Sequence, residues 1–272
     1  MIINTSRFRF NACIFNSQQK SEIPVLLLHG FTGSMFVWDE IIPDIPNPVI
    51  TMDMPGHGLT TPVVPDAAMC FTDVVDTLAD FIRGLPCNQV HLCGYSMGGR
   101  LALALAMEHP QNIASLILES ASPGLKALSE RDKRKNRDAE LAELITRDFP
   151  AFLTIWQSLP MFSNQRDRNV SEWEKVKKIR ENCFPPGLAW SLKTCGTGAQ
   201  PSYWDKLSGL DIPVLLITGE EDQKFTAIAE EMKGLIPDGE HKSIRRSGHT
   251  THLDQKKLFI EVTNEFLKID RF

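Results

Sequence analysis

Short unbroken apolar runs set the rhythm of this chain. Residues 25–28 (Val-Leu-Leu-Leu), 49–52, 90–93, 116–118 and 214–218 each run straight into polar or glycine-bearing stretches. Strands buried on both faces read in this way. Between them the period becomes helical: Val74, Val75, Leu78, Phe81 and Ile82 fall on one face of a helix expected over 71–82. The alanine- and leucine-rich stretch 101–107 reads as a helix, as do 225–232 and 258–267, and a shorter one is expected at 36–42, stopped by Pro43. Residues 6–10 and 12–15 alternate as two outer strands, 18–22 form a polar turn, and 242–245 make a short last strand. Strand and helix in alternation predict an α/β fold with a mainly parallel central sheet.

From 122 to about 207 that alternation is lost. Residues 131–148 are charged, with Leu141, Leu144 and Ile145 as their apolar face. Four of the five tryptophans (Trp156, Trp173, Trp190, Trp204) fall in this segment, and Pro185, Pro186, Gly187, Gly196 and Gly198 break it up. The expected organisation is a core of residues 1–121 and 208–272, with 122–207 inserted before the last two strands as a helical cap. Such a cap covers a pocket, excludes water and supplies substrate contacts.

The densest chemistry lies at 90–100, Val-His-Leu-Cys-Gly-Tyr-Ser-Met-Gly-Gly-Arg. Ser96 stands between Gly94 and Gly98 in the pattern G-x-S-x-G, between an expected strand and an expected helix. That context makes the motif a nucleophile elbow; the plainer reading of Ser96 is a helix N-cap. A serine hydroxyl needs a base at neutral pH. In an elbow of this type the order is nucleophile, acid, histidine. Asp222 follows the first strand beyond the insertion and His249 follows the last, so both belong at the same sheet edge as Ser96. Glu220 and Glu221 compete with Asp222 on proximity, and His252 with His249. His29, Asp53 and His57 read as residues that pin their own loops. An oxyanion hole needs two backbone N–H groups aimed at one point. Met97, just after the nucleophile, would supply one, and Phe31 in the loop His29-Gly30-Phe31-Thr32-Gly33 the other.

The chain has 272 residues, 42% of them hydrophobic, which suits one large domain or one domain with an insertion. A formal net charge of −5 gives no reason to expect nucleic acid. No apolar run is long enough to insert into a bilayer. Arg7 and Arg9 interrupt the first ten residues, which do not read as a signal peptide. The six cysteines (13, 70, 87, 93, 183, 195) contain no C-x-x-C and fit reduced thiols in a cytoplasmic protein. No metal-ligand spacing stands out. The basic run 130–138 reads first as a solvated helix face laced with i,i+4 pairs. With Arg100 and Arg180 it also puts guanidinium groups where a cap meets a pocket, which an anionic substrate would need.

These motifs together resemble the α/β-hydrolase superfamily and, within it, the 2-succinyl-6-hydroxy-2,4-cyclohexadiene-1-carboxylate synthases of menaquinone and phylloquinone biosynthesis. The matching pieces run nearly end to end: His29-Gly30-Phe31-Thr32-Gly33, Asp53-Met54-Pro55-Gly56-His57-Gly58, Gly94-Tyr95-Ser96-Met97-Gly98-Gly99-Arg100, Ser122-Pro123-Gly124-Leu125, the 130–138 run, Trp156 with Pro160-Met161-Phe162, 219–225, and Gly248-His249-Thr250-Thr251-His252. Thr250 stands where the family commonly has asparagine. The resemblance implies a lyase that eliminates pyruvate from 2-succinyl-5-enolpyruvyl-6-hydroxy-3-cyclohexene-1-carboxylate, with Ser96 as base. It implies that Arg134 and Arg180 hold substrate carboxylates, that Tyr95 and Trp156 line the pocket, and that neither cofactor nor metal takes part. The expected partner is a small anionic polycarboxylate, with monomer and homo-oligomer both open. The alternative on the same triad is a serine hydrolase that cleaves an ester or carbon–carbon bond of a small acidic molecule.

Overall fold

The computed structural model describes residues 1–16, 23–63, 68–87, 89–168 and 170–268. It opens with β1 (Ile2–Asn4), β2 (Phe8–Phe15), β3 (Val25–Leu28), β4 (Val49–Met52) and the two-residue β5 (Thr61–Pro62). Helix α1 (Phe71–Arg83), β6 (Val90–Tyr95), α2 (Met97–Glu108) and β7 (Ile113–Glu119) follow. Five helices then intervene: α3 (Leu128–Arg147), α4 (Phe149–Gln157), α5 (Ser163–Arg168), α6 (Val170–Glu181) and α7 (Pro185–Cys195). The chain ends with β8 (Val214–Gly219), α8 (Gln223–Lys233), β9 (Gly239–Ile244), α9 (Thr251–Asp254) and α10 (Lys256–Leu267).

The strands form one sheet in the order β1-β2-β4-β3-β6-β7-β8-β9, with β5 beside β2. From β4 to β9 every pairing is parallel, and only β1, β2 and β5 join antiparallel at one edge. Strands β3, β4, β7 and β8 are buried along their whole length, as their mainly apolar sequences require. One face carries a core built from α1, α2 and the inward residues of β2, including Phe8, Phe10, Leu78, Phe81 and Leu103. The other is covered by Trp38, Ile41, Phe259 and Phe266. A parallel sheet gathers its strand C-termini on one edge, and there the loops after β3, β4, β6, β8 and β9 meet.

The outer strands differ from the expected pair at 6–10 and 12–15. Asn11 does not interrupt the strand, because its N–H donates to Thr60 Oγ1 (3.0 Å) and its amide to Asp53 Oδ2 (2.8 Å). One strand therefore runs through it, and the hairpin partner is β1. The short helix expected at 36–42 is instead two 3-10 turns, Met35–Trp38 and Ile42–Asp44, and Pro43 sits inside the second. The last strand starts and ends earlier than expected, because its register with β8 runs from Gly239 to Ile244. The polar turn at 18–22 lies outside the described residues.

Candidate active site

The turn at Ser96 is made by close backbone packing. Ser96 adopts φ 51° and ψ −106°, a conformation that L-residues seldom hold. Its N–H donates to the Glu119 carbonyl at the end of β7 (2.8 Å), and its carbonyl accepts the Arg100 N–H (3.0 Å). At Gly98 a Cβ would lie 2.2 Å from the Leu28 carbonyl oxygen, so only glycine lets α2 start this close to β3. The turn thus lifts Ser96 above the sheet edge.

Asp222 and His249 come to it from the loops after β8 and β9. Ser96 Oγ lies 3.1 Å from His249 Nε2, and His249 Nδ1–H donates to Asp222 Oδ2 at 2.6 Å. The bonded carboxylate fixes the tautomer that leaves Nε2 free to take the serine proton. The other oxygen of Asp222 caps α8 by accepting the Phe225 N–H (3.3 Å). The Phe225 ring lies 4.6 Å from the imidazole centroid and Tyr95 5.5 Å. The rival residues have other partners: Glu220 accepts the Arg246 N–H, and His252 is bonded to Glu119.

The loops around the triad are held by buried polar groups. Asp53 accepts from Met35 N–H, Leu59 N–H and Asn11. His29 donates to Gly30 and accepts the Met54 N–H, and His57 donates to Pro55 and accepts the Thr32 N–H. Burial lowers both imidazole pKa values, that of His57 far below the ordinary one. These residues pin loops, as their positions suggested.

Ser96, Asp222 and His249 open onto a cavity of about 430 Å³. Phe31, Tyr95, Met97, Arg134 and Trp156 line it too. Phe31 and Met97 flank the serine from the β3 loop and the start of α2, where first-turn N–H groups have no helical acceptor. Trp156 is fixed by a bond from its indole N–H to Thr32 Oγ1 (3.2 Å). Arg134 Nε donates to Asp138 Oδ1 (2.7 Å), whose other oxygen accepts the Gly198 N–H. The i,i+4 pair expected in the basic run is present, with a buried carboxylate and its arginine facing the cavity.

Arg180 is the expected substrate residue that the structure does not bring to this cavity. It borders a separate pocket of about 30 Å³, shared with Gly30, Tyr95 and His252. Its guanidinium stacks over Phe162 (4.3 Å) and Trp173 (5.2 Å), and burial lowers its pKa to about 10. Arg100 and Arg137, among the guanidinium groups expected near the pocket, line the large cavity, and Lys224 joins them. Arg100 is buried, with its pKa lowered to about 10 by burial and then by the Arg134 charge. Gln200 Oε1 accepts from Arg100 Nη1 (3.4 Å), and Gln200 Nε2 donates to the Ser122 carbonyl (3.1 Å). Arg100 is already marked in the sequence, since it lies four residues beyond Ser96 and so on the same helix face. Gln200 carries no such mark. Among the described residues no group of histidine, cysteine and acidic side chains could hold a metal ion.

The α/β-hydrolase fold family matches residues 23–256. A Bacillus subtilis (strain 168) protein provisionally assigned as 2-succinyl-6-hydroxy-2,4-cyclohexadiene-1-carboxylate synthase is 41% identical over 89% of each chain. The synthase of that name from Enterobacter sp. (strain 638) is 30% identical over 82% of this chain and 86% of its own. The chain belongs to the α/β-hydrolase family, in its 2-succinyl-6-hydroxy-2,4-cyclohexadiene-1-carboxylate synthase branch. A solved structure described as MenH from S. aureus superimposes with a TM-score of 0.88 at 31% identity, over 97% of this chain and 98% of that one. A thermophilic esterase from Thermogutta terrifontis, solved with malate bound, reaches 0.84 over 98% and 97% at 23% identity, a likeness of fold alone. Among the described residues no helix is long and apolar enough to cross a membrane.

Proposed function

We propose that this chain is a carbon–oxygen lyase that eliminates pyruvate from 2-succinyl-5-enolpyruvyl-6-hydroxy-3-cyclohexene-1-carboxylate, giving 2-succinyl-6-hydroxy-2,4-cyclohexadiene-1-carboxylate. The observation that carries the reading is the charge of the cavity wall. Where Ser96 meets His249, four basic residues (Arg100, Arg134, Arg137, Lys224) face the space, and Asp222 is the one acid among the described lining residues. A multiply charged carboxylate is the ligand such a wall suits. The family supplies the reaction.

Ser96 takes the ring proton made acidic by the succinyl carbonyl, while its own proton passes to His249 Nε2. Asp222 stabilises the imidazolium. Charge moving onto the carbonyl oxygen is received by the N–H groups of Phe31 and Met97. The electron pair then forms a C2=C3 double bond, the C3=C4 bond shifts to C4=C5, and the C5–O bond breaks to expel enolpyruvate, which takes up the proton from the imidazolium and becomes pyruvate. Arg134 takes a carboxylate directly, Tyr95 and Trp156 shape the pocket, and Arg180 acts from behind Tyr95 and Phe31. Residues 122–207 serve as a cap over the core 1–121 and 208–272. The six free thiols fit a cytoplasmic setting.

Pyruvate release from the enolpyruvyl substrate, compared between wild type and Ser96→Ala, tests this. Rapid release that falls about 10²- to 10⁴-fold in the variant is expected for loss of the base. Turnover of activated esters by a folded wild type that releases no pyruvate would put the serine hydrolase in its place.

A further inference from the structure

Behind the catalytic pair lies a second one that the mechanism does not use. His249 and His252 are three residues apart, and each gives its Nδ1–H to a carboxylate: His249 to Asp222 at 2.6 Å, His252 to Glu119 at 2.7 Å. Glu119 is the last residue of β7, and its side chain is wholly buried. Its two oxygens hold the segment just after His249. One accepts the Thr251 hydroxyl (2.6 Å) and the His252 N–H (3.0 Å), and the other accepts the His252 ring. Burial alone would push this carboxyl up. The His252 charge and these bonds outweigh it and leave the pKa below the ordinary value.

The same residue reaches the nucleophile, because the Glu119 carbonyl accepts the Ser96 N–H (2.8 Å). Tyr95 closes the block. Its ring stands 5.5 Å from His249 and 5.1 Å from His252, and its hydroxyl meets Thr250 Oγ1 at 2.8 Å. His252 Nε2 has no hydrogen-bond partner among the described residues. The Glu119 bond is therefore what accounts for a histidine at that buried place. We propose that Glu119, acting through Thr251 and His252, is a positioning residue that sets the Ser96–His249 distance.

A base displaced by a fraction of an ångström loses most of its effect while substrate binding is untouched. The proposal rests on the lyase reading for its natural substrate, so a second readout is needed that depends on the triad alone. Covalent labelling of Ser96 by a fluorophosphonate is such a readout. For Glu119→Gln, kcat for pyruvate release is expected to fall about tenfold to a hundredfold, with KM within about twofold, and the labelling rate should fall by a similar factor. The double variant Glu119→Met with His252→Phe removes both partners of the buried pair, which need not cost stability. It should fold and be as slow as Glu119→Gln. Thr251→Ala, which removes one bond and keeps the Glu119–His252 bond, should show the same split at smaller size.

A folded double variant with wild-type kcat and labelling rate would overturn the proposal. So would an unchanged labelling rate in Thr251→Ala should neither Glu119 variant fold. If instead wild type labels at Ser96 but releases no pyruvate, the lyase reading fails, and the labelling rates alone still decide the role of Glu119.

Discussion

Arg134 and Arg180 show how little a residue type says about its task until its partners are known. Both are arginines on helices between β7 and β8, α3 and α6. Arg134 reaches the large cavity from Asp138, an acid that is itself buried. Arg180 lies on two aromatic rings in the pocket next door. For Arg134 the consequence is measurable. A charge-assisted hydrogen bond to a substrate carboxylate contributes about 1.5–3 kcal/mol, so Arg134→Leu should raise KM roughly tenfold to a hundredfold. The change in kcat should be smaller. Arg134→Lys keeps the charge as a point but loses the planar fork, and should fall between the two. Steady-state kinetics of pyruvate release check this, and an unchanged KM in Arg134→Leu would remove the residue from the binding site.

At the scale of elements, the approach of α2 to β3 fixes the place of Ser96. Gly98→Ala would put a methyl 2.2 Å from the Leu28 carbonyl oxygen and 2.6 Å from that of His29. Backbone cannot move aside as a side-chain end can, so the helix must back away. A destabilisation of about 3 kcal/mol, the upper end for overpacking, is expected in urea unfolding, together with slower labelling of Ser96. A variant of wild-type stability would show that α2 slides freely along the sheet. These central elements were also the most legible in the sequence. The strands at 25–28 and 49–52 have the bounds their apolar runs announced, because a strand buried on both faces leaves no polar position to blur them. Asp222 was legible by its place after β8, but Glu220 and Glu221 stayed rivals until the structure showed Asp222 capping α8 and bonded to His249. What stayed hidden depends on distant partners. Asn11 looked like a break because its ties to Asp53 and Thr60 are invisible locally. The support of Arg100 by Gln200 spans a hundred residues, and the Glu119 pairing with His252 spans 133. No periodicity marks either.

The whole molecule carries its buried histidines as a liability in acid. His91 in β6 is bonded to Ser115 Oγ (2.8 Å), and burial lowers its pKa from 6.5 to about 4. His29 and His57 shift the same way, mainly through burial. Between those values the unfolded chain binds a proton that the folded chain refuses, so stability is full above pH 6.5 and is lost as pH falls towards 4. Asp254 has the opposite sign. Burial raises its pKa from 3.8 to about 6, so in that window the folded chain binds the proton and stability falls with rising pH. Asp39, also raised by burial, adds to this, but three lowered histidines outweigh the two raised carboxyls, and resistance to urea is expected to rise from pH 4.5 to 6.5. His91 alone accounts for a loss on the order of 3 kcal/mol at the acid end, and His91→Gln should flatten the slope by that much. A urea midpoint that is level or falls across this range in wild type would show that these imidazoles take up their protons without unfolding the protein.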